Sequence, residues 1–453
     1  AFSLFFRKNP FGGGYSVACG LNYVIEFIER FHFDKSDLDY LSQLKAADGA
    51  PLFEEDFLKY LEEMKFCCDL DAVPEGTIVF PYEPIVRVKG PLIQAQLLET
   101  TVLNLVNFQT LIATKAARVV EAARGDPVLE FGLRRAQGID GGITASRAAY
   151  IGGCSATSNV LAGKLFGIPV KGTHAHSWVM VFPSEEEAFW TYAQAMPNNC
   201  VFLVDTYNTL EGVKKAVEVG KWLRQNGHKL LGVRLDSGDL AYLSIEARKI
   251  LDENGFYDAK IFASNELDEY LIKSLKEQGA AVTVWGVGTK LATAYDQPAL
   301  GGVYKLVAVK GPNGKWEPKI KVSEQAAKTN IPGLCRVRRY EREGLYVADC
   351  IYSEELGVSD PCVIVDPIDT TRRKKIPEDS EFWELLVPVF RQGKLVKSAE
   401  SIEEARNRVK EQLAHLHPTI KRLTNPHLYP VGLERRLSDL RTRLILEARG
   451  VEM

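Results

Sequence analysis

The sequence predicts an α/β protein: an irregular β/α barrel, an α+β sandwich built from N-terminal and late segments, and a helical C-terminal tail. Three observations predict it. Short apolar strands alternate with amphipathic helical stretches about every 20–30 residues through the middle of the chain, the rhythm of a β/α barrel. Each of these strands stops at small or acidic residues, as barrel strands do where they feed a site. The strands after this series carry no intervening helices and are expected to return and pair with the first region. With 453 residues the chain exceeds what one core usually serves. The expected division is residues 1–105 with 300–375 as the sandwich, 106–299 as the barrel, and 376–453 as a mostly helical region.

In chain order, the first region reads as a strand at 3–6, a Pro-Phe-Gly-Gly-Gly loop, a strand at 15–18, and a helix with Leu21, Val24, Ile28 and Phe31 on one face. Strands at 77–80 and 85–88 precede a helical stretch over 92–123. In the middle, a strand near 168–170 leads into Gly172-Thr-His-Ala-His-Ser177, and one at 201–204 leads into Asp205-Thr-Tyr-Asn208. Another at 230–235 leads into Asp236-Ser-Gly-Asp239, one at 260–263 into Ser264-Asn265-Glu266, and one at 282–285 into Gly286-Val-Gly-Thr289. Helices over 210–226 and 268–279, and one marked by Leu240, Leu243, Ala247 and Leu251, separate them. Late strands follow at 302–309 and 316–322. The part from Ser380 is expected to be mostly helical and broken by Pro418, Pro426 and Pro430.

Strand ends in a barrel share one face, so Asp205, Asp236, Asn265 and Gly288 are expected in one pocket although far apart in sequence. Within Gly232-Val-Arg-Leu-Asp-Ser-Gly-Asp239, Arg234 and two carboxylates sit beside Ser237 and Gly238, which open a helix able to face an anion. The plainer reading is a helix cap with an adjacent structural ion pair. His174 and His176 leave three readings open: a metal pair, rings satisfied by carbonyls, or a catalytic imidazole. The metal reading lacks further histidines, since His228 lies at the opposite, helix-end turn.

Formal net charge is −3 with 25% charged residues of both signs interspersed, which argues against nucleic acid or a membrane as the main partner. Eight cysteines without a Cys-x-x-Cys pair read as reduced thiols, and no apolar run is long enough to span a bilayer, so a cytoplasmic enzyme is expected. The chain starts at Ala1 inside an expected strand, so a preceding segment is expected.

Phe5-Phe-Arg-Lys-Asn-Pro-Phe-Gly-Gly13, Glu130-Phe-Gly-Leu-Arg-Arg-Ala-Gln-Gly138, Gly172-Thr-His-Ala-His-Ser177, Asp205-Thr-Tyr207, Gly232 to Asp239, Leu300-Gly-Gly-Val-Tyr-Lys305 and Asn425-Pro-His-Leu-Tyr-Pro-Val431 together resemble the nicotinate phosphoribosyltransferase family, in order and over nearly the whole chain. The resemblance implies transfer of phosphoribose from phosphoribosyl pyrophosphate to nicotinate, coupled to ATP hydrolysis through a phosphohistidine at His176. It implies Mg²⁺ held partly through water by Asp205 and Asp236, and a 5-phosphate on Gly286, Gly288 and Thr289. Phe131 would stack on the pyridine, and Arg134 would sit beside the product's phosphate or carboxylate. Arg234 would take the nicotinate carboxylate, with Ser158 and Asn159 as further donors. Ser237, Gly238 and Asn265 would line the same pocket. A homodimer with shared active sites is implied, with Arg7 and Lys8 reaching into the second subunit, and Lys305 and Lys321 joining the phosphate region. The family's Asp-x-x-Tyr-Gln motif does not precede Phe5, so its tyrosine is expected on the preceding segment. Rival readings are a nicotinamide-using relative, a metal-dependent barrel hydrolase and an inactive nucleotide-binding homologue.

Overall fold

The computed structural model describes residues 1–325 and 328–451. Its middle is a parallel six-stranded sheet, in the order Ala156–Thr157, Val128–Glu130, Val284–Val287, Lys260–Ala263, Leu230–Leu235, Cys200–Leu203. Leu129, Ala156 and Val284 bury their side chains together, with Phe131 and Phe262 packed on them. The expected strand at 168–170 is absent. Instead a single bridge joins Val170 to Thr157 at one edge of the sheet, and the His174 ring closes on the other edge. There the Leu203 N–H donates to His174 Nε2 at 3.2 Å, so an imidazole satisfies a buried edge amide that a neighbouring strand would otherwise take.

That bond fixes His174 as neutral. Burial is the main cause that pushes its pKa down to about 4 from 6.5. The unfolded chain therefore binds one more proton between these values, and stability from this group, complete above pH 6.5, is lost as pH falls toward 4. The full effect is about 3 kcal/mol. Urea denaturation across pH 7 to 4 should show this loss, and His174→Asn should flatten that part of the curve.

Two further six-stranded sheets flank the barrel. One has the order Gly302–Leu306, Phe2–Phe6, Val86–Lys89, Asp69–Ala72, Val387–Arg391, Lys394–Leu395, with Phe2 opposite Leu306 and Phe6 opposite Gly302. The late strand at 302–306 thus returns to the first region as expected. The strand expected at 316–322 does not: only Trp316–Pro318 is extended, in a separate hairpin with Ala308–Lys310. The other large sheet runs Arg373–Lys375, Val363–Val365, Val431–Glu434, Leu345–Ser353, Cys335–Arg342, Glu381–Glu384.

Four strands among the described residues after Ser380 correct the expectation of a mostly helical end: Glu381–Glu384, Val387–Arg391, Lys394–Leu395 and Val431–Glu434 complete or extend sheets formed earlier, the last between helices Ile402–Ala414 and Arg435–Ala448.

Helix Glu99–Ala122, expected as one piece with Leu92–Leu97, is a separate and mostly buried element. Its Lys115 is fully buried and meets Glu269 at 2.6 Å and Asp296 at 2.6 Å, while Arg118 meets Glu269 at 2.9 Å. Buried cations in a hydrocarbon setting persist only with such pairing. The network ties this helix to the barrel helix Glu269–Glu277 and to the loop after the last barrel strand.

Candidate active site

The C-terminal ends of the barrel strands collect a connected polar cluster. Asp205 follows Cys200–Leu203 and is almost wholly buried as a side chain. Its Oδ1 lies 3.0 Å from His176 Nε2. Its Oδ2 accepts from the Asp236 backbone N–H at 2.9 Å and from Ser237 Oγ at 2.5 Å. One carboxylate therefore joins two strand ends and orients the imidazole, which opens the helix His176–Val181 and remains 39% exposed.

Arg234, inside the next strand, is held on three sides. Nε donates to Ser264 Oγ at 2.8 Å, Nη1 to Thr173 Oγ1 at 2.9 Å, and Nη2 to Asp236 Oδ1 at 2.9 Å. Ser264 Oγ also donates to Asp236 Oδ1. Three of the five guanidinium N–H groups are thus taken, leaving two on the terminal nitrogens for an acceptor. Fixing a long side chain in advance removes the entropy cost of doing so on binding.

Beside it, the Phe131 ring centroid lies 5.7 Å from the Arg234 guanidinium carbon. The ring presses on Gly286, where a Cβ would come within 2.8 Å of it. Any side chain at 286 would push the ring away, which explains glycine in that strand. Phe131 is aimed from below by Glu130, a buried carboxylate that accepts from the Gly132 N–H, from Ser146 Oγ at 2.9 Å and from Thr157 Oγ1 at 2.6 Å. Glu130 therefore ties the loop at Gly132 to the helix Ile139–Ile151 and to the edge strand Ala156–Thr157, and was overlooked in the sequence, as were Thr173 and Ser264. Their only signal was position: Glu130 ends one strand, Ser264 follows another, and Thr173 lies just beyond the single bridge at Val170.

The remaining expected residues divide. Asn159 takes the plainer reading: Oδ1 caps the helix Val160–Phe166 by accepting from Ala162 N at 3.2 Å, and Nδ2 donates to Ser146 Oγ at 3.2 Å. Its amide is spent inside the protein, which corrects the expectation of a donor to the base. Ser158 next to it is exposed. Asp239 caps the helix Leu240–Glu253, accepting from Tyr242 N at 3.0 Å. The Gly232–Asp239 segment thus contains both elements of its plainer reading, a cap and an ion pair, and also joins the cluster. Gly238 adopts φ +79°, which a side chain would disfavour.

Asn265 and Glu266 both have positive φ, at 93° and 46°, so the turn after Lys260–Ala263 is strained where it borders the site. Gly288 precedes the short helix Thr289–Ala292, and Thr289 Oγ1 donates to Glu266 Oε1 at 3.3 Å. Arg134 is exposed and forms no ion pair among the described residues. Arg7 and Lys8 end the Phe2–Phe6 strand, Lys305 lies opposite Ser3 in that sheet, and Lys321 is exposed beyond Trp316–Pro318. Within one chain none of these four cations bonds to the strand-end cluster among the described residues.

A parallel sheet with imidazole, guanidinium and carboxylates converging at the C-terminal rim of its strands defines a β/α-barrel enzyme. Family models match for the nicotinate phosphoribosyltransferase N-terminal domain over residues 1–107, the nicotinate phosphoribosyltransferase family over 128–335, and its C-terminal domain over 336–441. The chain belongs to the nicotinate phosphoribosyltransferase family. It is 45% identical over 443 residues to nicotinate phosphoribosyltransferase of Bacillus subtilis, covering 95% of this chain and 87% of that one. It is 34% identical to the human enzyme of that name, covering 97% and 91%. The solved structure of human nicotinic acid phosphoribosyltransferase matches with a TM-score of 0.83 at 32% identity, covering 98% of this chain and 95% of that one. No helix among the described residues is long and apolar enough to cross a membrane.

Proposed function

We propose that the protein transfers phosphoribose from phosphoribosyl pyrophosphate to the ring nitrogen of nicotinate, giving nicotinate mononucleotide and pyrophosphate, with ATP hydrolysis coupled through His176. The observation that carries this reading is the convergence of Asp205, His176, Arg234 and Asp236 beside the Phe131 ring. A pyridine stacked on Phe131 would direct its carboxylate to the two free N–H groups of Arg234, a planar match in shape and charge. Gly286, Gly288 and Thr289 would take the 5-phosphate on backbone N–H groups. The anomeric carbon gains positive character as pyrophosphate leaves. The protein's part is to fix the nitrogen in line and to stabilise the departing charge.

His176 suits the phosphoryl acceptor. With Nε2–H donated to Asp205, the Nδ1 lone pair is free to attack the γ-phosphoryl group of ATP, and the carboxylate stabilises the charge that grows on the ring. Mg²⁺ fits this donor set. Asp205 Oδ2 is already engaged twice, whereas Asp236 keeps Oδ2 open, so the protein offers few oxygens and the ion would keep most of its waters. Bound there with pyrophosphate, it would neutralise negative charge on the leaving group. All eight cysteines are free thiols, which supports a reducing, cytoplasmic setting.

The partner in this reading is a second copy. Val160, Leu161, Leu165, Met180 and Val181 expose apolar side chains on the two helices beside the cluster, and Lys8 is exposed at the end of its strand. Arg7 and Lys8 would then serve the neighbouring subunit's phosphates. Mixing an inactive Arg7→Ala/Lys8→Ala double variant with inactive His176→Ala should restore about a quarter of wild-type activity, since random reassortment yields dimers with one intact site. No recovery after reassortment would refute shared sites. The reading as a whole is tested by measuring nicotinate mononucleotide and pyrophosphate from nicotinate, with and without ATP, against nicotinamide as the competing base. Preference for nicotinamide would overturn the choice of substrate.

A further inference from the structure

A second reactive cluster lies away from the barrel, on the outer face of the sheet containing Leu345–Ser353. Cys350 of that strand is fully buried, and Cys362, half-buried, stands with its sulfur 3.9 Å from the Cys350 sulfur. Both belong to a small apolar cluster with Tyr340, Ala348, Tyr352, Ile364 and Ile376. The other six cysteines have no such sulfur contact among the described residues.

The surroundings favour one thiolate in the pair. The Cys350 thiol hydrogen-bonds Cys362 and is the main cause that brings the Cys362 pKa down to about 7 from 9.0. Burial opposes it, the Tyr340 hydroxyl and the Arg338 guanidinium support it, and Glu434 works against it. Cys350 shifts the other way, first through the same hydrogen bond and then through burial. Arg338 reaches the cluster from the neighbouring strand Cys335–Arg342, stacked over Phe382 at 4.0 Å and Tyr352 at 5.3 Å. A half-exposed thiolate with a second thiol in van der Waals contact is the arrangement of an attacking and a resolving cysteine.

We propose that Cys362 is a peroxide-sensitive modification site and that Cys350 resolves it into an intramolecular disulfide. The Cys362 thiolate attacks one oxygen of hydrogen peroxide, the O–O bond breaks, and hydroxide leaves, so that sulfur is oxidised to the sulfenic acid and peroxide is reduced. The Cys350 sulfur then attacks the sulfenic sulfur. An S–S bond forms, the S–O bond breaks, and the thiol proton leaves with the hydroxyl as water. Thiols such as glutathione reverse the bond by exchange. The contact distance means that side-chain rotation with a small approach of the two segments suffices, and the buried partner intercepts the sulfenic acid before further oxidation.

The test is non-reducing peptide mapping by mass spectrometry after stoichiometric hydrogen peroxide at neutral pH, with dimedone present to trap sulfenic acid. Wild type should yield the Cys350–Cys362 cross-linked peptide, lighter by two hydrogens and released by dithiothreitol. Cys350→Ser should instead carry dimedone on Cys362, and Cys362→Ser should lose both products while exposed Cys67 reacts as before. On the unaltered protein, the iodoacetamide rate at Cys362 should rise through a midpoint near pH 7. Cys362 left unmodified at a peroxide dose that oxidises Cys67, or oxidised without the cross-link in wild type, would overturn the proposal.

Discussion

Asp205→Asn is expected to lower formation of the phosphoenzyme from ATP by about 10²–10⁴-fold, the range for losing a positioned acid–base partner. The direction follows from which atom faces which neighbour. Oδ2 receives two donors, the Asp236 N–H and the Ser237 hydroxyl, so the amide oxygen of asparagine will turn toward them. Its NH₂ then faces His176 Nε2, where Oδ1 accepted before. The ring must shift its proton to Nδ1, and the lone pair that should attack phosphorus disappears. Replacement by asparagine thus reverses the tautomer while sparing the fold. Acid-labile ³²P incorporation from γ-labelled ATP measures the loss, and ¹⁵N chemical shifts of His176 report the tautomer. An undiminished phosphoenzyme in this variant, or in His176→Ala, would remove His176 from the role.

Arg234→Lys is expected to cost the enzyme about 10²–10³-fold in kcat/KM for nicotinate, an effect of about 3–4 kcal/mol. An ammonium keeps the charge, but it cannot reach Ser264, Thr173 and Asp236 together while presenting two parallel donors outward. The same change should narrow the preference for nicotinate over nicotinamide, because the lost contact is specific to a carboxylate. Initial rates with both bases decide the matter. A variant with unchanged KM for nicotinate would show that another cation holds the acid group.

The core of the site was legible because its residues stand at strand ends, and strand ends in a parallel barrel meet whatever their distance in sequence. Asp205 and Asp236 follow from that rule, whereas Arg234 and His176 stand out through the segments Gly232–Asp239 and Gly172–Ser177 that carry them. Thr173 and Ser264 did not stand out, since a short hydroxyl announces nothing until its partner is known, and Arg234 lies 61 residues from Thr173. Asn159 misled for a related reason: the same amide can cap a helix or face a ligand, and only the position of Ala162 N distinguishes them.

In the fold, the hairpin Val387–Arg391 to Lys394–Leu395 was read as part of a helical end. Its turn residues Gln392 and Gly393 both have positive φ, 48° and 74°, and an unusual glutamine took the place of the asparagine or aspartate that commonly marks such a turn. The helix Lys35–Gln43 was missed because it buries no side chain fully, although Asp34 and Asp37 form a capping box at its start.

The central claim is that the cluster at the barrel rim grips an acidic pyridine nucleotide. A crystal structure of the protein with nicotinate mononucleotide and Mg²⁺ tests it most directly. The pyridine ring should lie against Phe131, with its carboxylate on the outward N–H groups of Arg234 and the phosphate at Gly286 to Thr289. A nucleotide seated elsewhere, or one whose carboxylate makes no contact with Arg234, would contradict it.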